Sequence, residues 1–453
     1  MNQERQFFGT DGIRGIANIH PMTAETALLL GRAITAYHRD RGNRAHIVIA
    51  KDTRRSGYML ENALTAGITS MGGKAFLLGP LPTPSVAYHI RGLRAQGGVM
   101  ISASHNPFED NGLKVFNEDG FKLSDEAELE IEKWMLAAQK NPPKMPAPDE
   151  IGTAKRIDDA QGRYLVHLKS IFSRHFDLAG MKIVYDGANG AAYDCGRRLL
   201  QELGAEVVTM ACEPNGLNIN KNCAQENPSL LGQRVLAEKA DLGIGVDGDA
   251  DRVLIVDETG HEISGEHFMF EMALYLRDLG RLKAGAIVTT AMANQALIEA
   301  LEEQKIRTLR SAVGDRYVLA EMQNHGVIFG GETSGHYIFL DQNTTADALF
   351  SGLEVLALLQ SRKWKASRLR ESFQLFPQRL VSIPVKVRKP LDACENLQKS
   401  ISQIELRYQG KGRVNVRYSG TQLMLRIMME GPDLSQIEKD IEEVTQVALK
   451  ELG

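Results

Sequence analysis

One pattern occurs three times along the 453-residue chain. A short apolar strand leads into a helical stretch, then a second strand, another helical stretch, and a third strand that ends in a polar loop. The first strands are Ile47-Val48-Ile49, Ile183-Val184-Tyr185 and Ile287-Val288; the second are Ala75-Phe76-Leu77-Leu78, Glu206-Val207-Val208 and Thr308-Leu309. All are short and β-branched or apolar, as buried strands are. A unit of this kind cannot bury both faces of its strands alone, so each repeat predicts a sheet with helices packed on it.

The third strands, residues 98–101, 243–246 and 326–329, run into Ser104, into Asp247 and into the segment 330–336. Candidate fourth strands at 113–116, 253–256 and 337–340 follow closely enough to return as hairpins. The expected fold class is therefore α/β: three repeated α/β domains with mixed sheets, parallel with one antiparallel edge. Ligands in open α/β sheets bind outside the carboxyl ends of the strands, so three such domains turned inward pool their polar loops around a central cleft.

Asn141-Pro142-Pro143-Lys144-Met145-Pro146-Ala147-Pro148 can neither continue a helix nor join a central strand, and it reads as a linker. The expected domains are residues 1–150, 151–260, 261–374 and 375–453. The last reads as a smaller C-terminal α+β domain: a strand over 380–387, a helix over 391–404, two strands flanking Ser419-Gly420-Thr421, and a final helix. In that helix Leu434, Ile437, Ile441, Val444 and Ala448 recur at three- and four-residue intervals, a core-facing stripe.

The loops carry the chemistry. Asp247, Asp249 and Asp251 alternate in Asp247-Gly248-Asp249-Ala250-Asp251-Arg252, and three carboxylates that close repel one another unless they share a divalent cation. An EF-hand loop is excluded, because Arg252 holds the sixth position, where the sharp turn needs glycine. Ser104 lies in Ile101-Ser102-Ala103-Ser104-His105-Asn106-Pro107, a plain turn by itself but a candidate for phosphoryl chemistry beside a cation site. Arg14 among the glycines of residues 8–15 and Lys114 beyond Ser104 are candidate charge carriers. Glu332, Ser334 and His336 alternate with small residues, which frees the first two for sugar hydroxyls and His336 for proton transfer. Arg417, Ser419, Gly420, Thr421 and Arg426 supply guanidinium groups, hydroxyls and exposed amides suited to a dianionic phosphate.

Charge is nearly balanced, 53 basic against 57 acidic residues for a net of −4, and no dense basic stripe tracks a nucleic-acid backbone. Nucleic acid is not an expected partner. The four cysteines are scattered without metal spacing, which suits a reducing compartment and makes the cytoplasm the expected location. No apolar run approaches the ~20 residues needed to span a bilayer, so no membrane partner is expected. Nothing in the chain distinguishes monomer from homodimer.

Taken together, residues 8–15, the stretch 102–112, Gly216-Leu217-Asn218-Ile219-Asn220 and the aspartate run resemble the α-D-phosphohexomutase superfamily over essentially the whole chain, in particular its bacterial branch acting on glucosamine phosphates. The resemblance implies interconversion of glucosamine 6-phosphate and glucosamine 1-phosphate on the route to UDP-N-acetylglucosamine, with a hexosamine phosphate as substrate. It implies that Ser104 carries the phosphoryl group, that Asp247, Asp249, Asp251 and a phosphoserine oxygen hold one Mg²⁺ per chain, and that a hexose 1,6-bisphosphate serves as activator and intermediate. Arg14, Lys114 and Arg252 would offset the remaining charge, Glu332 and Ser334 would hold sugar hydroxyls, and the loop from Arg417 to Arg426 would take the distal phosphate. The chain departs from the family pattern at Gln422-Leu423 and over residues 221–226. Two alternatives stay open: a phosphomannomutase or phosphoglucomutase with the same machinery, and a silent sugar-phosphate sensor, disfavoured because Ser104 and all three aspartates are present.

Overall fold

The computed structural model describes residues 5–9, 11–172, 176–408, 411–418 and 423–453. By backbone contacts the chain divides into two units, residues 1–290 with 310–370, and residues 291–309 with 371–453.

The first sheet takes six strands: β1 (Ile13–Ile16), β2 (His46–Lys51), β3 (Lys74–Pro80), β4 (Gly97–Ile101), β5 (Asp110–Phe116) and β6 (Thr153–Arg156), ordered β1-β5-β4-β2-β3-β6. β2 pairs parallel to both β3 and β4, whereas β5 runs antiparallel to β4. The second sheet holds β7 (Lys182–Asp186), β8 (Glu206–Met210), β9 (Leu242–Val246), β10 (Val253–Asp257) and β11 (Glu262–Ile263), ordered β11-β10-β9-β7-β8. Its plan is the same, with β7 parallel to β8 and β9, and β10 antiparallel to β9. Strands β12 (Ala286–Thr290), β13 (Arg307–Ser311), β14 (Phe329–Glu332) and β15 (His336–Phe339) follow; β12 and β14 are parallel, β14 and β15 antiparallel.

The repeat is thus a physical one, and Ile47, Val48, Ile49, Ile183, Val184, Ile287 and Val288 are all fully buried. Three details differ from expectation. In the first two sheets the antiparallel strand is internal, because β1 pairs with the outer side of β5, Arg14 opposite Gly112, and β11 with that of β10; the glycine-rich N-terminal run therefore contains a strand. Residues 326–328 are not strand, since Gly326, at φ 63°, ends the helix Asp315–His325 in a left-handed cap, and β14 begins only at Phe329. The polar segment 330–336 is consequently two strand ends joined by the turn Thr333-Ser334-Gly335, with Glu332 opposite His336. The first sheet also takes in β6, past the proline-rich linker, where β6 pairs parallel with β3.

The second unit contains an antiparallel sheet of β16 (Gln378–Pro384), β17 (Arg413–Tyr418) and β18 (Met424–Glu430), with β18 central. The expected helix at 391–404 is a single turn at Leu391–Ala393 followed by the helix Glu395–Tyr408, the break falling at Cys394. On the last helix, Leu434–Leu452, the stripe Ile437, Ile441, Val444 and Ala448 is buried with Leu425, Ile427 and Met429 of β18.

Candidate active site

β4 ends at Ile101, and the chain turns through Ser102 and Ala103 into Ser104, whose φ of 53° lies in the left-handed region. That conformation costs a serine on the order of 1–2 kcal/mol, so its surroundings must hold it. The Ser104 N–H donates to Ser102 Oγ at 2.9 Å, and the Ser104 hydroxyl donates to Asp247 Oδ2 at 2.6 Å. The Ser104 hydroxyl and the aspartate run are therefore in direct contact.

That run is the turn between β9 and β10. Asp247 Oδ1 accepts the N–H groups of Asp251 and Arg252, each at 3.2 Å, which folds the turn back on its first residue. Gly248 permits the close approach to the serine loop, since a Cβ there would sit 2.5 Å from the Ser104 carbonyl oxygen. Each of Asp247, Asp249 and Asp251 offers an oxygen within 4.8 Å of the others. Asp249 Oδ1 and Asp251 Oδ1 are buried without a hydrogen-bond partner. Orphaned, converging carboxylate oxygens of this kind fit a hard divalent cation.

The electrostatics agree. Burial, and then the charges of Asp251 and Asp249, push the Asp247 carboxyl well above the usual carboxylate range. Asp249 is equally buried, but Lys114 Nζ at 2.7 Å and the Thr83 hydroxyl outweigh that burial and hold its carboxyl below the usual range. Thr83 opens the helix Thr83–Leu93, and its N–H donates to the Asp249 carbonyl at 2.9 Å.

Lys114, on β5 and 2 % exposed, also lies 3.5 Å from Asp251 and 3.7 Å from Asp11. Arg14, on β1, pairs with Asp11. The Nε atoms of Arg14 and Arg252 are buried without a partner, and both residues line a cleft of about 670 Å³ together with Ser104, Lys114, Asp251, Glu332 and His336. Unspent guanidinium donors beside a hydroxyl and a cation site are what an incoming phosphate requires. Glu332 Oε1 accepts the Gly314 N–H at 3.1 Å, while His336 Nε2 stands 3.9 Å from both Asp251 and Asp315. Ser334 sits exposed in the turn, outside the lining of the cleft. Gly335 seats that turn on the aspartate hairpin: it adopts φ 97°, a Cβ would come 2.3 Å from the Val253 carbonyl oxygen, and the Val253 N–H donates to the Gly335 carbonyl at 3.0 Å.

In the second unit, Arg417 on β17 lies directly opposite Arg426 on β18. Like charges facing across a strand pair destabilise it, an arrangement that an anion relieves. Ser419, Gly420, Thr421 and Gln422, like Thr10 near the N-terminus, lie outside the described residues.

Sequence reasoning missed several residues at the cleft. Lys122 Nζ bridges Asp11 and Asp315 at 2.5 Å each. Against burial, Lys122 and then His336 bring the Asp315 carboxyl down to about 2. Arg54, 0 % exposed, donates to carbonyls of the Ser104 loop. Its signal was available: Lys51-Asp52-Thr53-Arg54 sits at the carboxyl end of β2, where the ligand rule for open sheets applies as much as at the third strands.

The sequence matches four domain families: phosphoglucomutase/phosphomannomutase alpha/beta/alpha domain I over residues 5–142, domain II over 162–260, domain III over 264–376, and the C-terminal domain over 380–447. It is 47% identical to a phosphoglucosamine mutase of Geotalea uraniireducens over 449 residues, 99% of each chain, and 47% identical to one of Pelobacter propionicus over 450 residues with the same coverage. Among solved structures, a phosphoglucomutase/phosphomannomutase family protein of Burkholderia thailandensis shares the fold with a TM-score of 0.82 at 21% identity, over 99% of both chains.

Proposed function

Because the chain belongs to the phosphoglucomutase/phosphomannomutase family, we propose that it interconverts glucosamine 6-phosphate and glucosamine 1-phosphate through a phosphorylated Ser104, the latter sugar phosphate being a precursor for UDP-N-acetylglucosamine. The observation that carries this reading is Ser104 itself, held at φ 53° with its hydroxyl 2.6 Å from a buried three-carboxylate site. Relatives 47% identical over nearly the whole chain and named phosphoglucosamine mutase support the choice of sugar.

The chemistry asked of these residues is mainly positioning and neutralisation, because phosphoryl transfer passes through a loose transition state with its charge on the equatorial oxygens. Phospho-Ser104 gives its group to the free hydroxyl of the bound monophosphate: the phosphorus–Oγ bond breaks, a phosphorus–oxygen bond to the sugar forms, and the hydroxyl proton passes by way of His336 to the leaving Ser104 oxygen. The resulting 1,6-bisphosphate turns over, and its other phosphoryl group returns to Ser104, whose hydroxyl proton passes to the released sugar oxygen. Arg14, Lys114 and Arg252 face the transferred group with their positive charge, Arg14 and Arg252 through Nε donors that have no other partner. Asp247, Asp249 and Asp251, with a phosphoserine oxygen, would hold one Mg²⁺, which supplies Lewis-acid neutralisation of phosphate charge. Glu332 and Ser334 are assigned to hydroxyls common to both orientations of the sugar, and Arg417, Ser419, Gly420, Thr421 and Arg426 to its distal phosphate.

Turnover of glucosamine 6-phosphate beside glucose and mannose 6-phosphates, with Mg²⁺ and trace hexose 1,6-bisphosphate and with Ser104→Ala as the blank, tests the proposal. The expected result is Ser104-dependent turnover with a preference for the amino sugar. Preference for a neutral hexose moves the chain to the phosphomannomutase or phosphoglucomutase reading, and absence of Ser104-dependent turnover sinks the mutase reading itself.

A further inference from the structure

The loop that carries Ser104 has a few hydrogen bonds of its own, among them Asn106 Nδ2 to Asp110 Oδ2 at 2.8 Å, but most of its carbonyls are held from outside it. His105, Pro107 and Glu109 are exposed, so the outer face of residues 104–110 is largely open to solvent. Its inner face is a set of main-chain carbonyls, and these converge on one side chain. Arg54 Nη2 donates to the carbonyl oxygens of Ser104 at 2.9 Å and Asn106 at 2.8 Å, and Nη1 to those of Pro107 and, at 3.0 Å, Asp110. The remaining donor, Nε, is spent on Asp52 Oδ2 at 2.8 Å, while Asp52 Oδ1 accepts the Arg54 N–H at 2.9 Å. Asn220, in the loop between β8 and the helix Pro228–Glu238, adds a second grip: its Nδ2 donates to the Ser104 and Asn106 carbonyls at 2.8 and 2.9 Å.

A wholly buried arginine normally answers a carboxylate or a phosphate. Here one carboxylate fixes the guanidinium from behind, and its forward donors go to four neutral oxygens of a single loop. The planar fork holds those oxygens in fixed relation, which the three tetrahedral donors of a lysine cannot reproduce. Ser104 pays for its left-handed backbone only while such neighbours over-determine it, and that backbone is what aims Oγ at Asp247. We infer that Arg54, assisted by Asn220, is a positioning residue for phosphoryl transfer: its clamp on the loop carbonyls, rather than the loop's own packing, sets where the Ser104 oxygen stands. The inference rests on the reading of Ser104 as the phosphoryl carrier.

The test is single-turnover transfer from glucose 1,6-bisphosphate to the full-length, Mg²⁺-loaded, dephosphorylated protein, followed by intact mass and by mapping of the labelled residue. In Arg54→Lys the transfer to Ser104 should slow by about a hundredfold, the cost of roughly an ångström of misplacement. The KM for glucosamine 6-phosphate should stay within about threefold, because the groups that bind the sugar are untouched. A folded Arg54→Lys protein that transfers within about threefold of the wild-type rate overturns the inference, as does a KM that rises in step with the lost rate. Wild-type label on a residue other than Ser104 instead removes the reading beneath it, and the clamp with it. Should Arg54→Lys not fold, Asn220→Gly carries the test, because glycine keeps the left-handed backbone of Asn220 (φ 59°) while deleting both hydrogen bonds. That variant should transfer about tenfold more slowly, the loss of roughly 1.4 kcal/mol, and an unchanged rate overturns the clamp.

Discussion

Lys114 and Ser104 show how single positions bear opposed demands. Burial by itself lowers the Lys114 pKa, yet Asp249, Asp11 and Asp251 raise it instead, so it remains the fixed counter-charge of the three carboxylates. Lys114→Met leaves Asp249 buried without a charge partner, and should cost about 3–5 kcal/mol in urea unfolding without metal. Saturating Mg²⁺ should recover part of that loss; equal destabilisation with and without the ion would show that Lys114 does not serve the carboxylates. Ser104 is strained for reasons of geometry, not of packing. Ser104→Ala and Ser104→Gly should both lose turnover, but the glycine variant should be the more stable by about 1 kcal/mol, because only the alanine keeps a Cβ at positive φ. Two variants of equal thermal stability would argue that the loop relaxes once the hydroxyl is gone.

At the scale of elements, the helix Ala348–Arg362 begins directly behind the aspartate turn, with the Ala348 N–H donating to the carbonyl of Ala250, itself left-handed at φ 55°. Its cap, Asp347, accepts the Phe350 N–H at 3.0 Å and the Tyr164 hydroxyl at 2.7 Å. Burial pushes the Asp347 carboxyl up to about 6, against about 3.9 when unfolded. The folded state therefore holds its proton longer, and this group's contribution to stability falls as pH rises from 4 to 6, by on the order of 2–3 kcal/mol, and is flat above. Asp347→Asn should gain on the wild type across that window, measured by denaturant unfolding at each pH; a difference that does not change with pH would show the carboxyl to be ionised throughout. The elements themselves were unequally legible. The strands around Ile47-Val48-Ile49 and Ile183-Val184-Tyr185 announce themselves because burial on both faces demands a continuous apolar run. β1 does not: Ile13-Arg14-Gly15-Ile16 has no strand pattern of its own and becomes a strand only because the outer side of β5 offers it a ladder. Gly326 was misassigned for a related reason, since a glycine before an apolar run fits a helix stop as well as a strand start.

For the molecule as a whole, an ion held by the three aspartates would couple chemistry to stability. Three buried carboxylates with unpartnered oxygens are a liability that a bound ion removes, so Mg²⁺ at a hundred times its Kd should stabilise the protein by about 2.7 kcal/mol. Asp251→Asn should abolish most of that gain in thermal unfolding, and an undiminished gain would place the ion elsewhere. The sequence by itself determined the repeat, the α/β class and the choice of Ser104, Asp247, Asp249 and Asp251 as candidates, because hydrophobic period and residue chemistry are local properties of the chain. Tertiary structure alone decided that Ser104 meets Asp247 across 143 positions, that Lys114 serves Asp249, that Lys122 ties Asp11 to Asp315, and that Arg54 gathers the carbonyls of a loop that begins 50 residues away. Those pairings depend on which strand ends a sheet brings side by side and on which charges burial forces to find partners. A sequence records the groups, but their neighbours are chosen only when the backbone closes around them.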